Sequence, residues 1–270
     1  LEFRRVLFRS LMRGSLHYDW HWDSLTGNGD LGNQGIHQMD IARWALGERR
    51  LAPRVLSVGG RLGYDDDGDT PNTQMVFHDY SAAPLLFEVR GLPRDRAEQE
   101  GAWGMDDYLG ARIGVIVHCE HGTLRIPSYT RADAYDADGE LIETWQGTRS
   151  HYANFIDCVR SRRAEDLAAD IEEGHVSSAL CHVGNVSHAL GGGITDGEAR
   201  ERLAGEPEAL ETYERMRAHL AANGVDLERT PLKVGTWLAF DPRRERFHDA
   251  PANRLLARDY RAPFVVPSRV

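Results

Sequence analysis

The sequence holds a single lysine, Lys233, and its other basic residues are arginines and histidines. Chemistry that needs a lysine must use this one or borrow one from elsewhere. Cysteine is nearly as scarce: Cys119, Cys158 and Cys181 are widely spaced and odd in number. They form no CxxC pair and no disulfide framework, so a reducing, cytoplasmic setting is the simplest reading. No run of about 20 apolar residues is present, so no membrane-spanning helix is expected. Positive charge is in deficit, with a formal net charge of −10. A nucleic-acid binder would show a basic face, so that class is disfavoured. Internal repeats and long low-complexity linkers are absent too.

What is present is ordinary for a globular protein: 270 residues, 41% hydrophobic and 27% charged. Such a chain folds as one large or two modest domains and buries roughly 70–75% of its surface. The opening LEFRRVLFRS is basic and has neither a continuous apolar core nor a small-residue cleavage site, unlike a secretory signal. Residues 1–10 are read as a non-native leader and residues 11–270 as the folded unit. Within that unit, 11–193 forms a sheet core and 194–270 a helical and mixed extension.

The pattern predicts a buried helix over 33–46, stopped at Gly47. Strands are expected at 53–64, 73–78, 85–89, 113–119, 123–126, 132–135 and 141–145. Polar turns at 120–122 and 136–140 mark hairpins. Helices are expected at 152–162, 171–190 and 207–222, then a strand at 236–240 and a helix around 252–258. The order suggests an α+β fold, one open, largely antiparallel sheet with helices packed on one face. The bare face of such a sheet needs cover, so pairing of two copies through it is expected, giving a homo-oligomer.

Gly27-Asn28-Gly29-Asp30-Leu31-Gly32 matches the dinucleotide pattern G-x-G-x-x-G. A phosphate-binding turn needs a buried apolar strand before it and a ribose-binding acid about 20 residues later. The preceding His17-Tyr18-Asp19-Trp20-His21-Trp22-Asp23 is far too polar for a central parallel strand. The next strand-like run, 54–58, leads to acids only at Asp65-Asp66-Asp67. The match is read as fortuitous, and no residue of this chain is assigned to cofactor binding.

Another reading suits the same stretch. On a helix each residue turns by about 100°, so Asn33, His37, Asp40 and Trp44 fall on one stripe. Asp40 would hold the imidazole tautomer, leaving the other ring nitrogen of His37 to exchange a proton. Nearby glycines would let a ligand approach the backbone, and Trp20 and Trp22 would offer aromatic faces to a sugar ring. His21, Asn28 and Gln34 complete the candidate substrate-binding set. The bland alternative is a buried polar cluster that satisfies itself, with Asn33 capping the helix.

GDLGNQGIHQMDIARWALG resembles the first helix of the C-terminal domain in Gfo/Idh/MocA oxidoreductases. VHCEHGTLRI with DADGELIETW, HYANFIDCVRSRRAEDL, and EEGHVSSALCHVGNVSHALG agree with that resemblance, which spans about residues 17–193. The tail LLARDYRAPFVVP resembles one bacterial branch. The resemblance implies the substrate-binding half of an NAD(P)-dependent enzyme, with the cofactor, NAD or NADP, held mainly by a Rossmann domain outside this chain. It also implies a sugar-like or polyol substrate, with His37 as catalytic histidine and Asn33 beside it. Many members carry aspartate where Asn33 stands; an amide can orient a hydroxyl but is no general base. Two alternatives stay open: a glycosidase or lyase that oxidises its sugar transiently, and a non-catalytic carbohydrate-binding or assembly module. A periplasmic home also stays open.

Three weaker patterns remain. His175, Ser178, His182 and Asn185 form a helical stripe, read first as polar groups bonding neighbouring strands or a subunit partner and second as another wall of the substrate pocket. His17, Asp19, His21 and Asp23 would share one side of an extended segment, a minority reading as a metal site. Asp65–Asp69 lacks the late glutamate of a calcium loop and reads as a solvated turn.

Overall fold

The computed structural model describes residues 20–267. A 3-10 turn, Trp20–Trp22, leads to α1 (Gly29–Asn33) and α2 (Gly35–Leu46). Strands β1 (Arg54–Gly60), β2 (Thr73–His78) and β3 (Leu85–Arg90) follow, then the short α3 (Arg96–Gln99). Next come β4 (Val115–Cys119), β5 (Gly122–Ser128), β6 (Arg131–Asp136) and β7 (Leu141–Gln146). Helices α4 (His151–Ser161) and α5 (Ile171–Ala189) are followed by β8 (Gly192–Gly193), α6 (Asp196–Leu203) and α7 (Pro207–Ala222). The chain closes with β9 (Lys233–Val234), β10 (Leu238–Asp241), β11 (Arg246–Phe247) and α8 (Ala250–Arg254).

The fold is α+β with antiparallel pairing, but the strands divide between two sheets. One has seven strands along the path β11-β10-β1-β2-β3, with β9 joined to β1 and β8 to β9. The other is the four-stranded meander β4-β5-β6-β7. Tight turns produce the division. Cys119 pairs with Gly122 and Ser128 with Arg131, so each of these hairpins zips locally. At the third turn, Asp136 accepts from the backbone N–H of Asp138 and Glu140, and Gly139 takes φ 83°. A side chain that mimics a backbone turn, followed by a residue free to adopt positive φ, is what this connection requires.

Alternation along the central strands sorts their side chains into two cores. Val55, Val76 and Leu85 join Leu31, Met39, Leu180 and Val183 under α1, α2 and α5. Leu56, Val58, Met75 and Phe77 point the other way, into Ala199, Leu203, Tyr213, Met216 and Leu220 of α6 and α7. Burying each such side chain contributes about 1.5–3 kcal/mol. This corrects the expectation of helices on one face. The C-terminal extension folds back over the second face, so among the described residues helices pack on both faces of the central sheet.

Two glycines allow the first layer to close. A Cβ at Gly184 of α5 would lie 2.9 Å from Val76 Cγ1, and one at Gly35 of α2 would lie 2.6 Å from Phe87 Cζ. Their absence lets both helices sit directly on β2 and β3. Gly47 then ends α2 in the left-handed conformation, its N–H bonded to the carbonyls of Arg43 and Trp44.

Candidate functional site

The helix expected over 33–46 is interrupted. α1 ends at Asn33, Gln34 links the two helices, and α2 restarts at Gly35. Asn33 therefore closes one helix instead of capping the next; the cap position of α2 is Gln34, which makes no side-chain capping bond. His37 lies in the first turn of α2 and is exposed. Its ring meets Tyr129 edge to face, with centroids 5.6 Å apart. The Gln34 amide donates to the Tyr129 hydroxyl at 2.8 Å and the Gln38 amide at 3.2 Å. Tyr129 stands at the tip of the β5–β6 hairpin, and that short turn carries it over α2. A histidine, two amides and a phenol thus converge on one surface.

Beside them lies an open cavity of about 400 Å³ between α2 and the small sheet. Ile41 and Trp44 of α2, Ile126, Tyr129 and Arg131 of the β5–β6 region, and Trp145 of β7 line it. Arg131 donates to Asp133 at 2.9 Å, and Thr144 donates to the same carboxylate at 2.7 Å. Those bonds hold the Asp133 carboxyl below the usual carboxylate range.

Asp40 does not orient His37. Its Oδ1 accepts from Arg43 at 3.1 Å and closely from the Ser177 hydroxyl of α5. Arg43 is fully buried and also holds Glu173 and, at 2.8 Å, the carbonyl of Glu48. Among the described residues no hydrogen bond joins Asp40 to His37. The carboxylate instead ties α2 to α5, because a buried guanidinium needs anionic partners more than an exposed imidazole does.

The tryptophan platform is likewise half lost. Trp22 is buried under the Arg61 guanidinium, 4.3 Å from its ring centroid. His21 is buried too, with Nε2 3.4 Å from Asp30. Neither presents a face to a ligand, whereas Trp20 is 50% exposed. Asn28 precedes α1, and its carbonyl accepts from Asn185 of α5 at 2.9 Å. A Cβ at Gly32 would strike the Asn28 side chain at 2.1 Å, and one at Gly27 would strike the His21 backbone at 2.3 Å. The glycines of the G-x-G-x-x-G match serve close packing within a turn and helix, and among the described residues a 3-10 turn, not a strand, precedes them.

The weaker stripe on α5 is mostly structural. His175 pairs with Glu245 at 2.8 Å, and the Ser178 hydroxyl donates to the Gly174 carbonyl. Asn185 accepts from Gln74 at 3.3 Å. His182 is exposed. Lys233 donates to the Ala189 carbonyl at the end of α5. Of the acidic turn, Asp66 holds Arg61 and Asp69 accepts from Ser24. His17 and Asp19 lie outside the described residues, and among those described no group of three metal-binding side chains gathers. No helix among them is long and apolar enough to cross a membrane.

Sequence reasoning missed Tyr129, Gln38 and Trp145. Tyr129 shows no periodic signal, since it belongs to a hairpin tip, and its partner helix lies far upstream.

No protein-family model and no curated protein matches the chain. Solved structures resemble it weakly. The yvaA protein from Bacillus subtilis matches with 13% identity and a TM-score of 0.41, over 64% of this chain and 51% of that one. The WlbA dehydrogenase from Bordetella pertussis, solved with NADH and UDP-GlcNAcA, matches with 18% identity and a TM-score of 0.39, over 64% and 48%. An oxidoreductase from Bacillus cereus matches with 18% identity and a TM-score of 0.36, over 58% and 47%. The chain spans about half the length of these proteins. Likeness at this level says nothing of activity, which rests on the residues.

Proposed function

We propose that the chain is the substrate-binding and proton-handling half of an NAD(P)-dependent oxidoreductase acting on a sugar or polyol derivative. The observation that carries this reading is the exposed His37 imidazole, set edge-on to Tyr129 with the Gln34 and Gln38 amides alongside, next to an open cavity. Imidazole changes protonation near neutral pH, so His37 accepts a hydroxyl proton as the carbon is oxidised and returns it in the reverse direction. Asn33, a neutral amide, orients that hydroxyl, and the half-exposed Trp20 offers a face to the ring. A nicotinamide cofactor, when bound, exchanges hydride with the substrate carbon. In this reading a separate nucleotide-binding domain holds it.

Helix α4 supports the idea of a second domain. None of its residues is buried, and Tyr152, Phe155, Ile156 and Val159 expose an apolar face. An 11-residue helix is marginal by itself, and a continuous apolar face of this kind marks a docking surface. Self-association, if it accompanies function, uses the small sheet, whose β7 is exposed along its whole length.

The test has two steps. The coding sequence adjoining this chain is read for a Rossmann-type domain, and the assembled enzyme is then assayed with sugars and polyols for reduction of NAD or NADP. Substrate-dependent reduction is expected. Product formed without net cofactor consumption would favour transient oxidation by a glycosidase or lyase. No turnover with the second domain restored would leave a binding or assembly module.

A further inference from the structure

His37 is not the end of the stripe it heads. Ile41 and Trp44 follow it by four and seven residues on α2, a spacing that keeps all three on one face. Both line the open cavity, and Tyr129, which contacts His37, lines it as well. A continuous surface therefore runs from the imidazole past Tyr129 to two tryptophans, Trp44 on the helix and Trp145 on β7. Trp44 is 55% exposed and Trp145 48% exposed, so both rings present area to solvent.

The walls define what such a cavity would take. Its volume, about 400 Å³, falls in the range of small-molecule sites. The apolar part is aromatic and aliphatic: Trp44, Trp145, Ile41 and Ile126. The polar part is hydroxyl and amide: Ser128, Thr130 and Gln146. The one guanidinium, Arg131, is already bonded to Asp133, so the lining offers no unpaired cation to attract a phosphate or carboxylate. Flat apolar faces combined with neutral donors and acceptors suit a ring that is apolar on its faces and rich in hydroxyls at its rim. Along the helix, His37 and Trp44 are separated by about 10 Å, a span suited to two linked sugar rings.

We propose that this cavity is a second sugar subsite: it holds the neutral, non-reacting ring of a disaccharide or glycoside whose reacting ring sits at His37. The inference deepens the oxidoreductase reading and rests on His37 marking the reacting end. It makes the natural substrate a glycoside larger than one ring, with Trp44 and Trp145 selecting for length.

Binding can be separated from chemistry. The probes are methyl glucosides and five neutral disaccharides, namely maltose, cellobiose, lactose, sucrose and gentiobiose, titrated into the 270-residue chain by saturation-transfer NMR. At least one disaccharide should bind about tenfold more tightly than the methyl glucosides, the contribution expected of aromatic stacking. Trp44→Ala and Trp145→Ala should each erode that preference, and Trp145→Phe should restore most of it. His37→Ala should keep the preference, since the tryptophans remain. Loss of turnover by His37→Ala in the assembled enzyme, with the preference intact in the chain, therefore supports the subsite and the catalytic role together. Normal turnover in that variant, again with the preference intact, would sink the catalytic role alone. Equal binding of all probes, or a preference that survives removal of both tryptophans, would overturn the subsite.

Discussion

Replacing Asp40 with asparagine separates two accounts of the α2 stripe. In the structure Asp40 accepts from Arg43 and Ser177, and Arg43 is buried with Glu173 as its other carboxylate partner. Asp40→Asn keeps the shape but removes the charge, so the hydrogen bonds to Arg43 and Ser177 weaken while Glu173 still balances the guanidinium. Losing a charge-assisted bond of this kind costs about 1–3 kcal/mol. In a domain of this size 1 kcal/mol moves the melting temperature by about 2–4 °C, so a drop of roughly 2–12 °C is expected. The NMR chemical shifts of the His37 ring protons at fixed pH should not move, because no hydrogen bond joins Asp40 to the imidazole among the described residues. Paired melts and spectra of the wild type and Asp40→Asn provide the comparison. An unchanged melting temperature together with displaced His37 ring-proton resonances would refute the argument.

Two further outcomes follow from buried groups. His78 is fully buried, neither ring nitrogen has a hydrogen-bond partner among the described residues, and burial pushes its pKa down to about 3. Its unfolded value is near 6.5, so protonation favours unfolding. Stability is complete above that value and declines as pH falls from about 6.5 towards 3, by at most about 1.4 kcal/mol per unit. His78→Leu should flatten this acid decline in denaturant melts run between pH 7 and pH 4; an unchanged slope would show that other groups cause it. Calorimetric titration of the chain with NAD and NADP should show no micromolar binding, because the only G-x-G-x-x-G lacks the strand before it and its glycines pack against protein. Micromolar binding abolished by Gly29→Val, in a variant still folded by circular dichroism, would restore the phosphate-cradle reading.

Much of the fold was readable locally. The strand expected at 73–78 and the helix at 207–222 match β2 and α7 residue for residue, since a short apolar run between turns in one and 3.6-residue spacing in the other are local signals. Pairing was less accessible. Alternation shows that Val115 to Gln146 forms strands, but not that they close into their own sheet. The helix Asp196–Leu203 was missed because its polar face dominates, although Thr195 and Glu198 form the capping box that starts it. Its Ala199 and Leu203, with α7, cover the sheet face expected to be bare.

The site was readable in part. Sequence spacing puts His37 and Gln34 within one turn of each other, but it is silent on the contacts of Trp22 and Asp40, whose neighbours Arg61 and Ser177 lie elsewhere in the chain. Local spacing locates a side chain on a helix face. Only packing decides whether that face looks to solvent or to another element.

The central claim is that His37 handles the proton, and it stands or falls on turnover by His37→Gln in the assembled enzyme. Glutamine retains hydrogen bonding but cannot exchange a proton at neutral pH, and the exposed position predicts little change in stability. The expected result is a fall in kcat of roughly 10²–10⁴-fold with the melting temperature preserved. A His37→Gln enzyme that melts like the wild type and turns over the same substrate at the wild-type rate would contradict it.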